Sequence, residues 1–72
     1  MILSKTITNS SQLTKVTYDT VRKELTVTFV KGTKYKYSNV PDYTVDELLN
    51  AMSIGSYFNK NIARKFKFEK VG

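Results

Sequence analysis

Residues 25–37 read Leu25-Thr26-Val27-Thr28-Phe29-Val30-Lys31-Gly32-Thr33-Lys34-Tyr35-Lys36-Tyr37, and the fold turns on how this stretch pairs with itself. Leu25, Val27 and Phe29 alternate with Thr26 and Thr28, and Tyr35 and Tyr37 alternate with Lys34 and Lys36, which is the period of half-buried strands. A two-residue loop at Lys31-Gly32 pairs Val30 with Thr33 and puts the tyrosines on the face opposite Leu25 and Val27. A three-residue loop of Val30, Lys31 and Gly32 pairs Phe29 with Thr33, so that Val27 opposes Tyr35 and Leu25 opposes Tyr37. The residues favour the longer loop. A type I′ turn asks Lys31 for a positive φ and type II′ asks for glycine first, whereas a type I turn closing through a bulge wants glycine third, where Gly32 falls. Tyr35 and Tyr37 then join the core face with their hydroxyls toward its edge, and Thr26, Thr28, Lys34 and Lys36 form the other face.

Upstream, Val16 and Tyr18 alternate with Lys15, Thr17 and Asp19, giving a strand over 13–19 that adds Lys15 and Thr17 to the polar face. The polar run Thr20-Val21-Arg22-Lys23-Glu24 closes the first hairpin, with Asp19 expected to make a side-chain-to-backbone turn bond. Residues 1–12 show no clear period and end in Asn9-Ser10-Ser11-Gln12, so they read as an N-terminal arm leading into a single domain at 13–72. Downstream, Val45, Leu48, Leu49 and Met52 fall at i, i+3, i+4 and i+7, a helical stripe. Thr44 with Glu47 has the spacing of a capping box, and Tyr43 is placed to staple onto Leu48. Asp42, Asp46 and Glu47 then cluster about the first turn, where the helix dipole gives them a structural purpose. Ser53-Ile54-Gly55-Ser56 breaks this helix and caps a second one, whose stripe is Phe58, Ile62 and Phe66. That helix is expected to end near Arg64, with residues 66–70 as a closing strand, although Phe66 fits either element. The expected fold is α+β: an antiparallel three-stranded β-meander covered on one face by two short helices, with a short C-terminal strand, in the order β-β-β-α-α-β.

At 72 residues the chain sits near the lower limit for a single self-sufficient core, because about 60 residues bury only ~60% of their unfolded surface. It has no cysteine and no histidine, which excludes disulfides, thiolate metal sites and the commonest ligand and acid–base group. Added stability is left to homo-oligomerisation. No apolar run approaches the ~20 residues of a membrane span, and Met1-Ile2-Leu3 is too short for a signal sequence. A soluble cytoplasmic protein without a membrane partner is the expectation. Twelve Lys and Arg against six Asp and Glu give a formal charge of +6 and a pI near 9.7, the balance of a protein with polyanionic partners. Lys60, Arg64, Lys65, Lys67 and Lys70 crowd the end of the chain, opposed there only by Glu69.

The motif Gly32-x-x-Tyr35-Lys36-Tyr37-x-x-Val40-Pro41, with Ala51-x-Ser53-x-Gly55-x-Tyr57-Phe58-Asn59-x-x-Ile62 after the first helix, resembles the KTSC domain, a small module named for its presence at the C-terminus of some lysyl-tRNA synthetases. The resemblance extends through Ser10-Ser11, Tyr18-Asp19 and Leu25-x-Val27-x-Phe29 upstream and Phe66-x-Phe68 downstream. It implies a KTSC-like domain at 13–72 and RNA binding as the associated activity.

Catalysis has little to draw on: with structural or solvated roles for the carboxylates, no catalytic residue, metal ligand or cofactor is expected. The binding candidates are Ser53, Ser56, Tyr57, Asn59, Lys60, Asn61 and Arg64, crowded about the start and outer ridge of the second helix, together with Lys34 and Lys36 on the polar sheet face. Free N–H groups at Gly55-Ser56 suit a phosphate. Tyr57, turned about 100° from Phe58, either stacks a base beside Arg64 or packs over the helix junction. The expected activity is non-catalytic binding of phosphate-bearing nucleotide ligands, RNA first. The alternatives are an oligomer that sequesters a small cyclic nucleotide, and an interaction module or inhibitor that binds an acidic protein partner.

Overall fold

Gly32 adopts φ +92° and its N–H donates to the Phe29 carbonyl at 2.9 Å, while Phe29 N–H reaches Thr33 O at 2.8 Å. This is the three-residue loop closed by glycine, and it sets Val27 opposite Tyr35 and Leu25 opposite Tyr37. The computed structural model describes residues 2–8 and 10–72. Its elements in order are β1 (Ile2–Thr6), β2 (Leu13–Asp19), β3 (Glu24–Phe29), β4 (Lys34–Tyr37), α1 (Asp42–Asn50), α2 (Ile54–Asn61) and β5 (Phe68–Lys70). The strands form one antiparallel sheet in the order β1-β2-β3-β4-β5. The architecture is thus the expected α+β meander, helix pair and closing strand, extended by one strand at its start.

That extra strand corrects the reading of residues 1–12 as an arm. Ile2 to Thr6 pair with Asp19 to Lys15, and Ile7, just beyond, is buried in the core. Every residue of β1 is exposed, so the segment carries no alternation for a sequence reading to detect. Backbone hydrogen bonding to β2 holds it. The first hairpin is as expected at Asp19, whose Oδ1 accepts from Val21 N and Arg22 N at 3.0 and 3.1 Å. Glu24, read as loop, instead starts β3 opposite Asp19.

A register shift between Leu13 and Lys15 solves a parity problem in β2. Leu13 and Val16 are three residues apart and would face opposite sides of a regular strand, yet both are buried on the helix side. The extra residue, Thr14, restores the phase and directs Lys15 to the open face.

Both helices cover the face formed by Leu13, Val16, Tyr18, Leu25, Val27 and Tyr37, contributing Val45, Leu48, Ile54 and Phe58, with Ile62 immediately after α2. Phe58 meets Phe29 and Tyr37 edge-on, with centroids 5.7 and 5.3 Å apart. α1 starts a turn earlier than its expected capping box. Pro41 occupies the N-cap, no side chain caps the helix, and Thr44 is buried within it. Tyr43 is exposed, so it makes no staple, and Met52 lies beyond the helix in solvent. The helix start is instead tied to the sheet. The Tyr18 hydroxyl donates to the Val40 carbonyl and shares its proton with Asp42 Oδ1 at 2.8 Å, and Lys23 Nζ lies 2.7 Å from the same oxygen. α2 stops at Asn61, short of Arg64, and Phe66 packs against the core from the turn that follows.

Phe58→Ala should cost about 3–5 kcal/mol, as for buried aromatics elsewhere, while Met52→Ala should stay within about 0.5 kcal/mol. Denaturant titrations of the two variants check this, and a larger loss at Met52 contradicts the core described.

Candidate functional site

The start of α2 is built by a local cap and by an upstream turn that closes on it. Ser53 is extended (φ −127°, ψ 101°) and its hydroxyl accepts from Ser56 N at 3.4 Å, the N-cap arrangement. Gly55 is buried because the Ser10–Gln12 turn closes on it: a Cβ there would lie 2.5 Å from Gln12 Oε1. Ser10 Oγ organises that turn by accepting from Gln12 N and Leu13 N, each at 3.2 Å. Asn59, one turn into the helix, donates through Nδ2 to Gln12 Oε1 at 3.2 Å. The result is a polar cavity of about 320 Å³ among Ser10, Ser11, Gln12, Ser53, Ser56 and Asn59, floored by Gly55.

Sequence reasoning singled out Ser53, Ser56 and Asn59 but missed Ser10, Ser11 and Gln12, which lie more than forty residues upstream. The available signal was that Ser10-Ser11 and Ser53-x-Gly55 belong to one recurring pattern. On its other side the same turn borders a cleft of about 390 Å³ lined by Ser11, Gln12, Phe29, Val30, Lys31, Thr33 and Tyr35. Val30 N–H donates to Gln12 O at 2.8 Å and fixes the hairpin against the turn.

The other sequence candidates do not join this cavity. Tyr57 is half-buried, and its hydroxyl donates to Glu47 Oε1 at 2.8 Å. Burial first, then the Glu47 carboxylate, pushes its hydroxyl up to about 12. It therefore packs toward Glu47 on α1, not as the open stacking platform the helical wheel allowed. The wheel gave its angle without showing that α1 fills that direction. Asn61 spends its amide on Tyr57 O at 3.3 Å. Lys60 and Arg64 are exposed and form no ion pair among the described residues. Lys34 and Lys36 lie on the opposite sheet face, beside Thr28 and Thr26. Lys36 is held between Glu69 at 3.3 Å and Glu24 at 3.8 Å.

Carboxylates are mostly committed to the fold. The Arg22 N–H holds Asp19 below the usual carboxylate range; burial opposes it, and the Val21 N–H adds to the lowering. Lys23, then Tyr18, does the same for Asp42. Glu24 and Glu69 pair with Lys36 and Glu47 accepts from Tyr57, leaving Asp46 with no side-chain partner among the described residues. No cluster of three or more acidic, histidine or cysteine side chains among the described residues is placed to hold a metal ion. No helix among them is long and apolar enough to cross a membrane.

A one-sided antiparallel sheet with a helix pair, joined to a Ser/Gly/Asn motif that clasps an upstream serine turn, defines a small α+β module. Residues 9–66 match the KTSC domain model, and the chain belongs to the KTSC domain family. A lysine–tRNA ligase of Nostoc punctiforme is 39% identical over 61 residues, which is 85% of this chain and 11% of the ligase. The chain thus spans about a tenth of the curated ligases it matches. An uncharacterized protein of Stutzerimonas stutzeri is 41% identical over 51 residues, 71% of this chain and 72% of that protein. The crystal structure of a KTSC domain protein from Yersinia pestis superposes over 100% of both chains with a TM-score of 0.89 at 27% identity.

The tyrosines provide a pH test. Tyr18, by burial and then Asp42, is also pushed up to about 12. Both hydroxyls hold their protons more tightly folded than unfolded, so the stability they add is intact below about pH 10 and lost between about pH 10 and 12. Ultraviolet titration should show Tyr18 and Tyr57 ionising last, and Tyr57→Phe should remove one late proton and lessen the alkaline loss of stability.

Proposed function

We propose that this protein binds RNA through its basic surface and leaves it chemically unchanged. The observation that carries this reading is the division of charge within the fold. Five of the six acids accept hydrogen bonds or pair internally, whereas of the twelve cations only Lys23 and Lys36 form ion pairs among the described residues. The remaining Lys and Arg side chains are left to solvent, where they attract polyanions. Lys60, Arg64, Lys65, Lys67 and Lys70 follow one another through the end of α2 to β5, a run able to track a phosphate backbone. The similarity of the segment to part of lysine–tRNA ligases, whose name gives tRNA as what they act on, supports the same ligand class and a cytoplasmic setting.

Anisotropy of a labelled single-stranded RNA oligomer, measured across salt concentrations, tests this. Affinity should fall with a log–log slope of ~0.7 per phosphate contact. Arg64→Ala should flatten the slope by about one contact, ~0.7, while Lys36→Met, already neutralised by Glu24 and Glu69, should leave it unchanged. Binding weaker than high micromolar at physiological salt, or binding indifferent to salt, overturns the reading.

A further inference from the structure

We infer that the cleft between the β3–β4 loop and the Ser11–Gln12 turn receives one unpaired nucleobase, with Phe29 and Tyr35 as its aromatic wall and Lys31 holding the adjoining phosphate. The inference deepens the RNA reading and rests on it. The shared ligand chemistry is an aromatic base carrying a phosphodiester, which a single-stranded RNA residue and a free dinucleotide both offer.

The ring wall is packed from behind by further rings. Phe29 and Tyr35 meet edge-on at 5.5 Å, Phe29 is backed by Phe58 at 5.7 Å, and Tyr35 is backed by Phe68 at 5.4 Å. Both rings are only half-buried, so each keeps surface toward the cleft. The Tyr35 hydroxyl has no hydrogen-bond partner among the described residues, whereas those of Tyr18 and Tyr57 are both committed. Val30 adds exposed apolar surface at the rim, and Thr33 and Gln12 supply polar edges. At about 390 Å³ the cleft falls within the ~300–1,000 Å³ common for small-ligand sites.

Charge is placed on both sides of the wall. Lys31 lines the cleft, and Lys70 lies directly opposite Tyr35 on β5 and so shares its sheet face. Neither forms an ion pair among the described residues. The smaller cavity of about 150 Å³ that Tyr43, Tyr57 and Lys65 line makes a useful contrast, since it also holds Glu47, whose charge opposes a phosphate. The groove of about 220 Å³ between β1 and α1 has Lys5 but no ring other than the committed Tyr18. Aromatic surface, free cations and the absence of a carboxylate come together in the hairpin cleft.

The test compares three probes on the full chain: a single-stranded RNA oligomer, an oligomer of equal length and charge whose central residues are abasic, and a free dinucleotide. The intact RNA should bind about tenfold or more tightly than the abasic oligomer, the discrimination expected of one base–aromatic contact. Tyr35→Leu, which keeps apolar bulk but removes the ring, should erase that preference while leaving abasic binding unchanged. Val30→Glu, at an exposed rim position, should weaken intact RNA more than the abasic oligomer, with circular dichroism confirming the fold. Lys31→Glu should weaken intact RNA more than the charge-matched Lys65→Glu. Equal, salt-dependent binding of intact and abasic oligomers overturns the base cleft and keeps the RNA reading. Dinucleotide binding lost in Tyr35→Leu, with no RNA binding, overturns the RNA reading and keeps the cleft, and no binding of any probe overturns both.

Discussion

Phe58 meets the rings of Phe29 and Tyr37 edge-on, and these two contacts fix where α2 lies on the sheet. The helix is only eight residues long and would not be stable alone, so its position is set by this burial and not by helix propensity. Once Phe58 is seated, Gly55 comes to rest against the Ser10–Gln12 turn, where a larger residue would meet the Gln12 side chain. The polar cavity and the placement of Asn59 on Gln12 follow from that docking.

The sheet makes its own demand on the chain. Helices cover one face, so the other must remain compatible with water, and it carries Ser4, Lys15, Thr17, Thr26, Thr28, Lys34 and Lys36. Its threonines favour extended backbone while staying polar, and Ser4 and Thr17 share a hydrogen bond across strands at 3.1 Å. Glu24 and Glu69 neutralise Lys36 on this face, so it is less cationic than its composition implies. Lys15 and Lys34 stay free on this face, and the densest run of unpaired cations among the described residues lies in the chain's last third. The division of charge is therefore a product of folding: strands and turns consume carboxylates and leave lysines outside.

Much of the fold was legible because local chemistry and long-range packing agree. Gly32 in third place selected the hairpin register, and the structure has it. Asp19 marked its turn through a side chain suited to nothing else nearby. The edge strand β1 was illegible because alternation records burial, and a wholly exposed strand records none. The same limit misplaced Met52, whose spacing fits the stripe of α1 although the helix has ended two residues earlier. In the candidate site, Ser53, Ser56 and Asn59 were legible as a helix start, while their partners Ser10 to Gln12 were hidden by sequence distance.

The sequence by itself determined the alternating faces, the hairpin register, the absence of thiol and imidazole chemistry and the excess of positive charge, since each is a property of residue type and spacing. Tertiary structure decided which polar groups are spent and which are free. Tyr57 was an open platform on the helical wheel until α1 supplied Glu47, and Lys36 was a free cation until β3 and β5 supplied carboxylates. Tyr35 keeps a half-exposed ring and an uncommitted hydroxyl where it lines the cleft beside the Ser11–Gln12 turn. The physical reason is common to all three: a side chain's availability depends on which neighbours folding brings within hydrogen-bond reach, and those neighbours lie on other elements.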